Sequence, residues 1–264
     1  LTSARFENPF YDKRNVNNIV ALRGALFMKT LYDEVTAKGF KIFHVKTDSI
    51  KIADATPEII KFCMDFATQY GYTFEHEASY EKICLVNNAV YVAKAATPEW
   101  CQKTYGYLPE KNEPSYLESE GYWAATGTQF QVPYVFKTLF SKQPIDFEDK
   151  CEVKSSKEGA LYLDFDENLP DGEHSYRFVG KVGQFTPIKE GCSGARLLAK
   201  REDKKTGETK FVGVTGTIGY RWMESEIVRM TNKQELADEN YYISLVNDAK
   251  DAVSKYGDFE WFAS

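Results

Sequence analysis

The sequence predicts an α+β protein, with an antiparallel sheet carrying helices on one face over residues 1–95 and a mixed helix-and-strand region over residues 96–264. Three observations lead there. Apolar residues recur at helical spacing from Val16 to Ala37, two short strands flank the turn Lys46-Thr47-Asp48-Ser49, and strand-like segments then cluster after a second amphipathic helix.

In the first helix Ile19, Val20, Leu22, Leu26, Phe27, Leu31 and Val35 fall three or four residues apart, and Gly39 stands where a helix would end. Phe40 to Val45 reads as a strand and Ile50-Lys51-Ile52 as its return, which puts Asp48 at the tip of a hairpin. Thr56-Pro57-Glu58 opens the second helix with a cap residue and a proline at the first helical position. Ile59, Ile60, Phe62, Cys63, Phe66 and Ala67 give it an apolar side, and it should stop near Gly71. Strands are expected at Thr73 to Glu77, Lys82 to Val86 and Ala89 to Ala93. Pro98, Gly106, Pro109, Pro114 and Gly121 punctuate a polar stretch that reads as the boundary between two domains. Beyond it, Val132 to Phe140, Met223 to Met230 and Tyr241 to Tyr256 look helical. Tyr176 to Thr186 and Ala195 to Val214 look like strands, the latter pair hinged at Lys205-Thr206-Gly207.

At 264 residues, 43% hydrophobic and 15% aromatic, the chain can bury one large core or two modest ones. It holds no run of about 18 apolar residues and no leader-like segment, so a cytoplasmic protein without membrane contact is expected. Leu1-Thr2-Ser3-Ala4 carries no start signal and reads as a cut through a longer protein. Five cysteines, odd in number and without a CxxC pair, argue against a disulfide framework or zinc site and for reduced, mostly buried thiols. A net charge of −6 is the wrong sign for coating nucleic acid indiscriminately, so any DNA contact must be local. Arg196, Lys200, Arg201, Lys204, Lys205 and Lys210 outnumber Glu202, Asp203 and Glu208 and form one such local excess. A solvated hairpin tip explains the same residues equally well.

Asp48 is the residue with chemical promise. Nucleotidyl transfer needs carboxylates that hold two divalent ions, and a hairpin tip keeps a carboxylate rigid yet open to substrate. Asp is also common in turns for its own backbone hydrogen bonds, so the surrounding residues decide. Phe43-His44-Val45-Lys46-Thr47-Asp48-Ser49-Ile50-Lys51-Ile52 resembles the third conserved motif of family B DNA polymerases, whose usual core is DTDS between two strands. Asn18-Ile19-Val20 with Arg23-Gly24 resembles the family segment after its nucleotide-binding helix. Glu77, Tyr80-Glu81-Lys82-Ile83 and Val86-Asn87-Asn88-Ala89-Val90-Tyr91 resemble the strand pair carrying the family's KKxY element, which touches the primer.

The resemblance implies a palm-like sheet over residues 1–95, a thumb-position region after it, and Mg²⁺ as cofactor, with two ions in the complete site. Asp48 would be a metal ligand. Two departures stand out: the first Asp of DTDS is Lys46, and the basic pair of KKxY falls on Asn88 and Ala89, leaving Tyr91 as the match. Lys46 would neutralise surplus carboxylate charge or meet a phosphate; a surface lysine on a degenerate copy is the even alternative. The family's other metal-binding Asp and its nucleotide-positioning Lys and Tyr lie upstream of Leu1, so the chain alone should be inactive and needs the amino-terminal polymerase part as partner.

In the second half, Gly121 to Phe130, Pro133 to Lys137, Phe185 to Gly194 and Thr215 to Trp222 resemble the tails of phage-type members. The resemblance places primer-template DNA near Lys46, Ser49, Tyr91, Arg196, Lys200, Arg201 and Arg221, with dNTP bound in the complete enzyme. Gly216 and Gly219 with Arg221 could receive a phosphate, though a plain strand-to-helix turn is the preferred reading. Trp222, Tyr241, Tyr242, Phe259, Trp261 and Phe262 are read as core ahead of base-stacking residues. The alternatives are a non-catalytic nucleic-acid-binding or scaffold protein derived from a polymerase and, more weakly, another palm-type enzyme such as a nucleotide cyclase.

Overall fold

The structure, a computed structural model, describes residues 19–264 apart from 167, 171 and 203–205. Val16, Asn17 and Asn18 of the first expected helix, and Lys204 and Lys205 of the basic segment, lie outside the described residues. The fold is α+β with antiparallel sheets, as the sequence predicts. The chain divides into two compact units. The first comprises residues up to 80 together with 95–117, and the second residues 81–94 together with 118–264.

The first unit starts with α1 (Ile19–Ala37), followed by strands β1 (Ile42–Val45) and β2 (Ile50–Ile52) and by α2 (Pro57–Gln69). β1 and β2 pair antiparallel with Val45 opposite Ile50 and His44 opposite Lys51. Alternation along β2 therefore turns Ile50 and Ile52 to one side and Lys51 to the other. The isoleucines join Ile42 in a core made with Leu31 and Val35 of α1 and Ile59, Cys63 and Phe66 of α2. Both helices thus back one face of the hairpin. Leu31 and Val35 are fully buried, and each such side chain stabilises the unit by roughly 1.5–3 kcal/mol. Phe27 adds ring contacts to Phe66 at 5.5 Å and Tyr72 at 4.8 Å.

Only the second half of α1 follows the expected apolar pattern. Ile19, Val20, Leu22 and Leu26 are each at least half exposed. Residues 73–77 form no strand, correcting the sequence expectation; this segment is held instead by single contacts such as Lys111 N–H to the Glu77 carbonyl at 2.9 Å. Buried Asn112 ties the same region together. Its Oδ1 accepts from Ser79 N–H at 2.8 Å, and its Nδ2 donates to the Ser79 and Ala96 carbonyls at 3.0 and 2.7 Å. The polar stretch read as a boundary contains two helices, α3 (Pro98–Tyr105) and α4 (Pro114–Glu120), each beginning at a proline.

The second unit holds β3 (Tyr80–Asn87), β4 (Val90–Ala95) and β5 (Trp123–Ala125) as one three-stranded sheet. α5 (Thr128–Gln131), α6 (Pro133–Phe136) and a π-helical turn Lys137–Ser141 follow, so the helix expected over Val132 to Phe140 is broken into pieces. Then come β6 (Glu152–Ser155), β7 (Leu161–Asp164), β8 (Tyr176–Gly180), β9 (Val182–Ile188), β10 (Arg196–Glu202), β11 (Thr209–Gly213) and β12 (Arg221–Glu224). They assemble as a four-stranded sheet in the order β11-β10-β7-β8 and a three-stranded sheet in the order β12-β9-β6. α7 (Ser225–Met230), α8 (Glu239–Ser254) and α9 (Phe259–Ala263) close the chain.

Trp222, Tyr241 and Tyr242 pack under the four-stranded sheet against Leu161, Leu163 and Leu197. Phe259 and Phe262 fold back onto Trp123 and Phe140. Of the late aromatics read as core, Trp261 is the exception: it is 65% exposed, with the Lys82 ammonium 4.7 Å from its ring centre. All five thiols are free, and all but Cys192 are buried.

Candidate metal-binding hairpin and nucleic-acid contact residues

The tip of the β1–β2 hairpin is closed by Lys46 N–H donating to the Ser49 carbonyl at 2.9 Å. Thr47 and Asp48 are exposed between them, whereas Lys46 and Ser49 are partly covered. Asp48 makes no ion pair among the described residues. Its carboxylate therefore offers both oxygens to a hard cation, a fit to Mg²⁺, which keeps several waters and takes few protein ligands. No group of three or more His, Cys, Asp or Glu side chains among the described residues is placed to hold a metal. The further ligands of a two-ion site are thus not gathered around Asp48 in this unit.

The face of the hairpin turned away from the helices is basic. Lys51 stands there near Lys46 and Lys111, and Lys111 forms an ion pair with Glu77. Partial burial, and next the Lys46 charge, hold the Lys51 ammonium below its ordinary value; Glu77 opposes this and Lys111 adds to it. An anion on this face would relieve the repulsion among three ammonium groups. Sequence reading singled out Lys46 but missed Lys51 and Lys111. Strand alternation marks Lys51 as outward-facing, whereas Lys111 arrives from a distant segment that no local pattern connects to the hairpin.

The other expected contact residues lie elsewhere. Tyr91 belongs to the second unit and is 9% exposed, its backbone N–H donating to Thr126 Oγ1 at 2.9 Å. Little of its ring remains for a DNA backbone. Arg196 is engaged with a buried carboxylate, its Nε donating to Asp164 Oδ2 at 3.0 Å. Asp164 also accepts from the Asp166 N–H at 3.0 Å and from His174 Nδ1 at 3.1 Å. His174 Nε2 lies 3.0 Å from the Leu169 carbonyl. Both partners of the ring only accept, so both nitrogens carry protons and the ring is an imidazolium. Nothing in the local sequence announces this clasp, because Asp164 and Arg196 are 32 residues apart.

Lys200 is partly covered beside Phe211, and Arg201 is exposed opposite Lys210. Arg221 packs over Gly194, where an added Cβ would come within 2.6 Å of the Arg221 Cβ. Gly216 and Gly219 take positive φ in a turn that enters strand β12 rather than a helix. That corrects the expected strand-to-helix turn and leaves no helix start there for a phosphate.

Comparison with known proteins found no matching family model, no matching curated protein and no matching solved structure.

Proposed function

We propose that this chain is the carboxy-terminal palm and thumb-position part of a template-directed DNA polymerase of family B. The observation that carries the reading is the exposed Asp48 carboxylate at the tip of an antiparallel hairpin backed by two helices, within the run Thr47-Asp48-Ser49. Asp48 would hold Mg²⁺ together with carboxylates supplied by the amino-terminal polymerase part. When bound, the ions lower the barrier by activating the primer hydroxyl and shielding the triphosphate. Lys46, Lys51 and Lys111 would face phosphate of primer-template DNA or of the incoming dNTP, and Lys46 would stand in charge where the usual motif has an Asp. The half-exposed Ile19, Val20, Leu22 and Leu26 of α1 are apolar surface of the kind a further protein part covers.

A second reading, a non-catalytic nucleic-acid-binding protein derived from a polymerase, is favoured by one feature. The hairpin offers three lysines but a single metal-competent carboxylate among the described residues. Primer extension separates the two. In a protein that includes the amino-terminal part, Asp48→Asn should lower extension by at least about a hundredfold, the scale on which removing an electrostatic catalytic group acts. Equal extension by both proteins would leave the binding reading in place.

A further inference from the structure

The four-stranded sheet β11-β10-β7-β8 buries one face and leaves aromatic rings on the other. Register defines the faces. Tyr162 stands opposite Phe178 and Leu198, Asp164 opposite Tyr176 and Arg196, and Lys200 opposite Phe211. Paired residues share a face, so these side chains lie on the side away from the core-lining Leu161, Leu163, Leu197 and Ala199. Phe178 is 64% exposed and Tyr176 37%. The rings touch one another: Tyr162 meets Phe178 edge-on at 5.5 Å and Phe211 at 5.1 Å, and Tyr176 stacks on Phe211 at 3.8 Å. Such a continuous aromatic surface on a sheet face costs solubility and calls for an occupant.

We propose that this face binds single-stranded nucleic acid, with bases stacking on Phe178, Tyr176 and Tyr162. The chemistry of the face selects that occupant. Its exposed apolar groups are π-faces rather than the aliphatic side chains that dominate protein cores, and flat rings accept any base. Cations border the rings on the same side: Lys200 is the strand neighbour of Phe211, and the Arg196 side chain is 40% exposed. Arg201 and Lys210 stand exposed further along the same two strands. A chain of net charge −6 cannot rely on many phosphate contacts, so stacking supplies most of the affinity. The inference does not rest on the polymerase reading, because the hairpin of Asp48 belongs to the other unit.

Fluorescence anisotropy of a labelled oligothymidylate, with the full chain in EDTA and without nucleotide, tests it apart from any metal chemistry. Binding is expected with a shallow salt dependence: the log–log slope should be about −2 or smaller, at roughly −0.7 per phosphate neutralised on a single strand. Phe178→Ala should weaken binding by about fivefold or more, the loss of one stacking ring. Phe178→Trp should retain binding, with its added indole quenched by the oligonucleotide. Val153→Ala, an exposed position on the other sheet, should bind as wild type. The proposal is overturned if the wild-type chain does not bind the oligonucleotide, if duplex DNA competes as well as single strand, or if Phe178→Ala and Tyr176→Ala leave affinity unchanged. It is equally overturned if Phe178→Ala dissociates a homo-oligomer instead, since the face would then be a contact between copies of the chain.

Discussion

Asp48 and Asp164 are two carboxylates put to opposite uses. Asp48 stands exposed on a turn, while Asp164 is buried and accepts hydrogen bonds from Arg196, the Asp166 N–H and His174. Burial works to raise the Asp164 carboxyl, but the bonds from Arg196, the Asp166 N–H and His174 outweigh it and hold the group below its ordinary value. The hydrogen bond to Asp164 in turn holds His174 above the ordinary imidazole value. The sign of the pH effect follows. His174 stabilises the loop fully below its unfolded value near 6.5, and that contribution is lost as pH rises through the higher folded value. Asp164 acts in the reverse sense: its contribution is present above its unfolded value near 3.8 and is lost as pH falls through the lowered folded one. Arg196, Asp164 and Asp166 are the charged groups that bear on the ring among the described residues. Histidine NMR should therefore show His174 titrating above 6.5, with the amides on either side of it losing exchange protection over the same range. A midpoint at or below the ordinary value would contradict the clasp. Asp48 was legible in the sequence because a turn is local, whereas the engagement of Arg196 depends on partners from two other segments.

At the scale of elements, what could be read from sequence tracks the range of the interactions. α2 announced itself through Thr56, Pro57 and the glycine after its end, and the β1–β2 hairpin through four residues between alternating strands. α3 carries equally local signals. Thr97 caps it by accepting from Trp100 N–H at 3.3 Å, Pro98 takes the first turn, and Gly106 ends it at φ 80°. Reading Pro98 and Gly106 as loop punctuation concealed a helix whose start and stop they mark. Residues 73–77 have strand-like composition but no neighbouring strand to pair with, and composition alone does not form a ladder. The hairpin's position depends on the core beneath it, so Leu31→Ala should destabilise the first unit by about 2–5 kcal/mol. Urea unfolding followed by the fluorescence of this unit would measure that loss. A change under about 0.5 kcal/mol, the range of ordinary surface substitutions, would mean that α1 does not anchor the hairpin.

Over the whole molecule, the chain crosses between its two units after Tyr80, at Ala95 and after Leu117. Such interleaving has no signature in hydrophobic periodicity, which reports neighbours along the chain. The α+β class was legible because it is the sum of local elements. The partition of strands among separate sheets was not, since β7 pairs with β10 across more than thirty residues. Under the proposed polymerase reading, the first unit contributes a metal-holding hairpin and a lysine cluster, and the second presents an aromatic sheet face. No helix among the described residues is long and apolar enough to cross a membrane. The claim on which the function rests is that a divalent ion sits at Asp48. Iron-directed cleavage reports it directly: Fe²⁺ and ascorbate in place of Mg²⁺, on the protein joined to its amino-terminal part with primer-template and dNTP, should cut the chain between Lys46 and Ser49. The cut should disappear in Asp48→Asn. Cleavage confined to other segments, or an undiminished cut in the variant, would contradict the assignment.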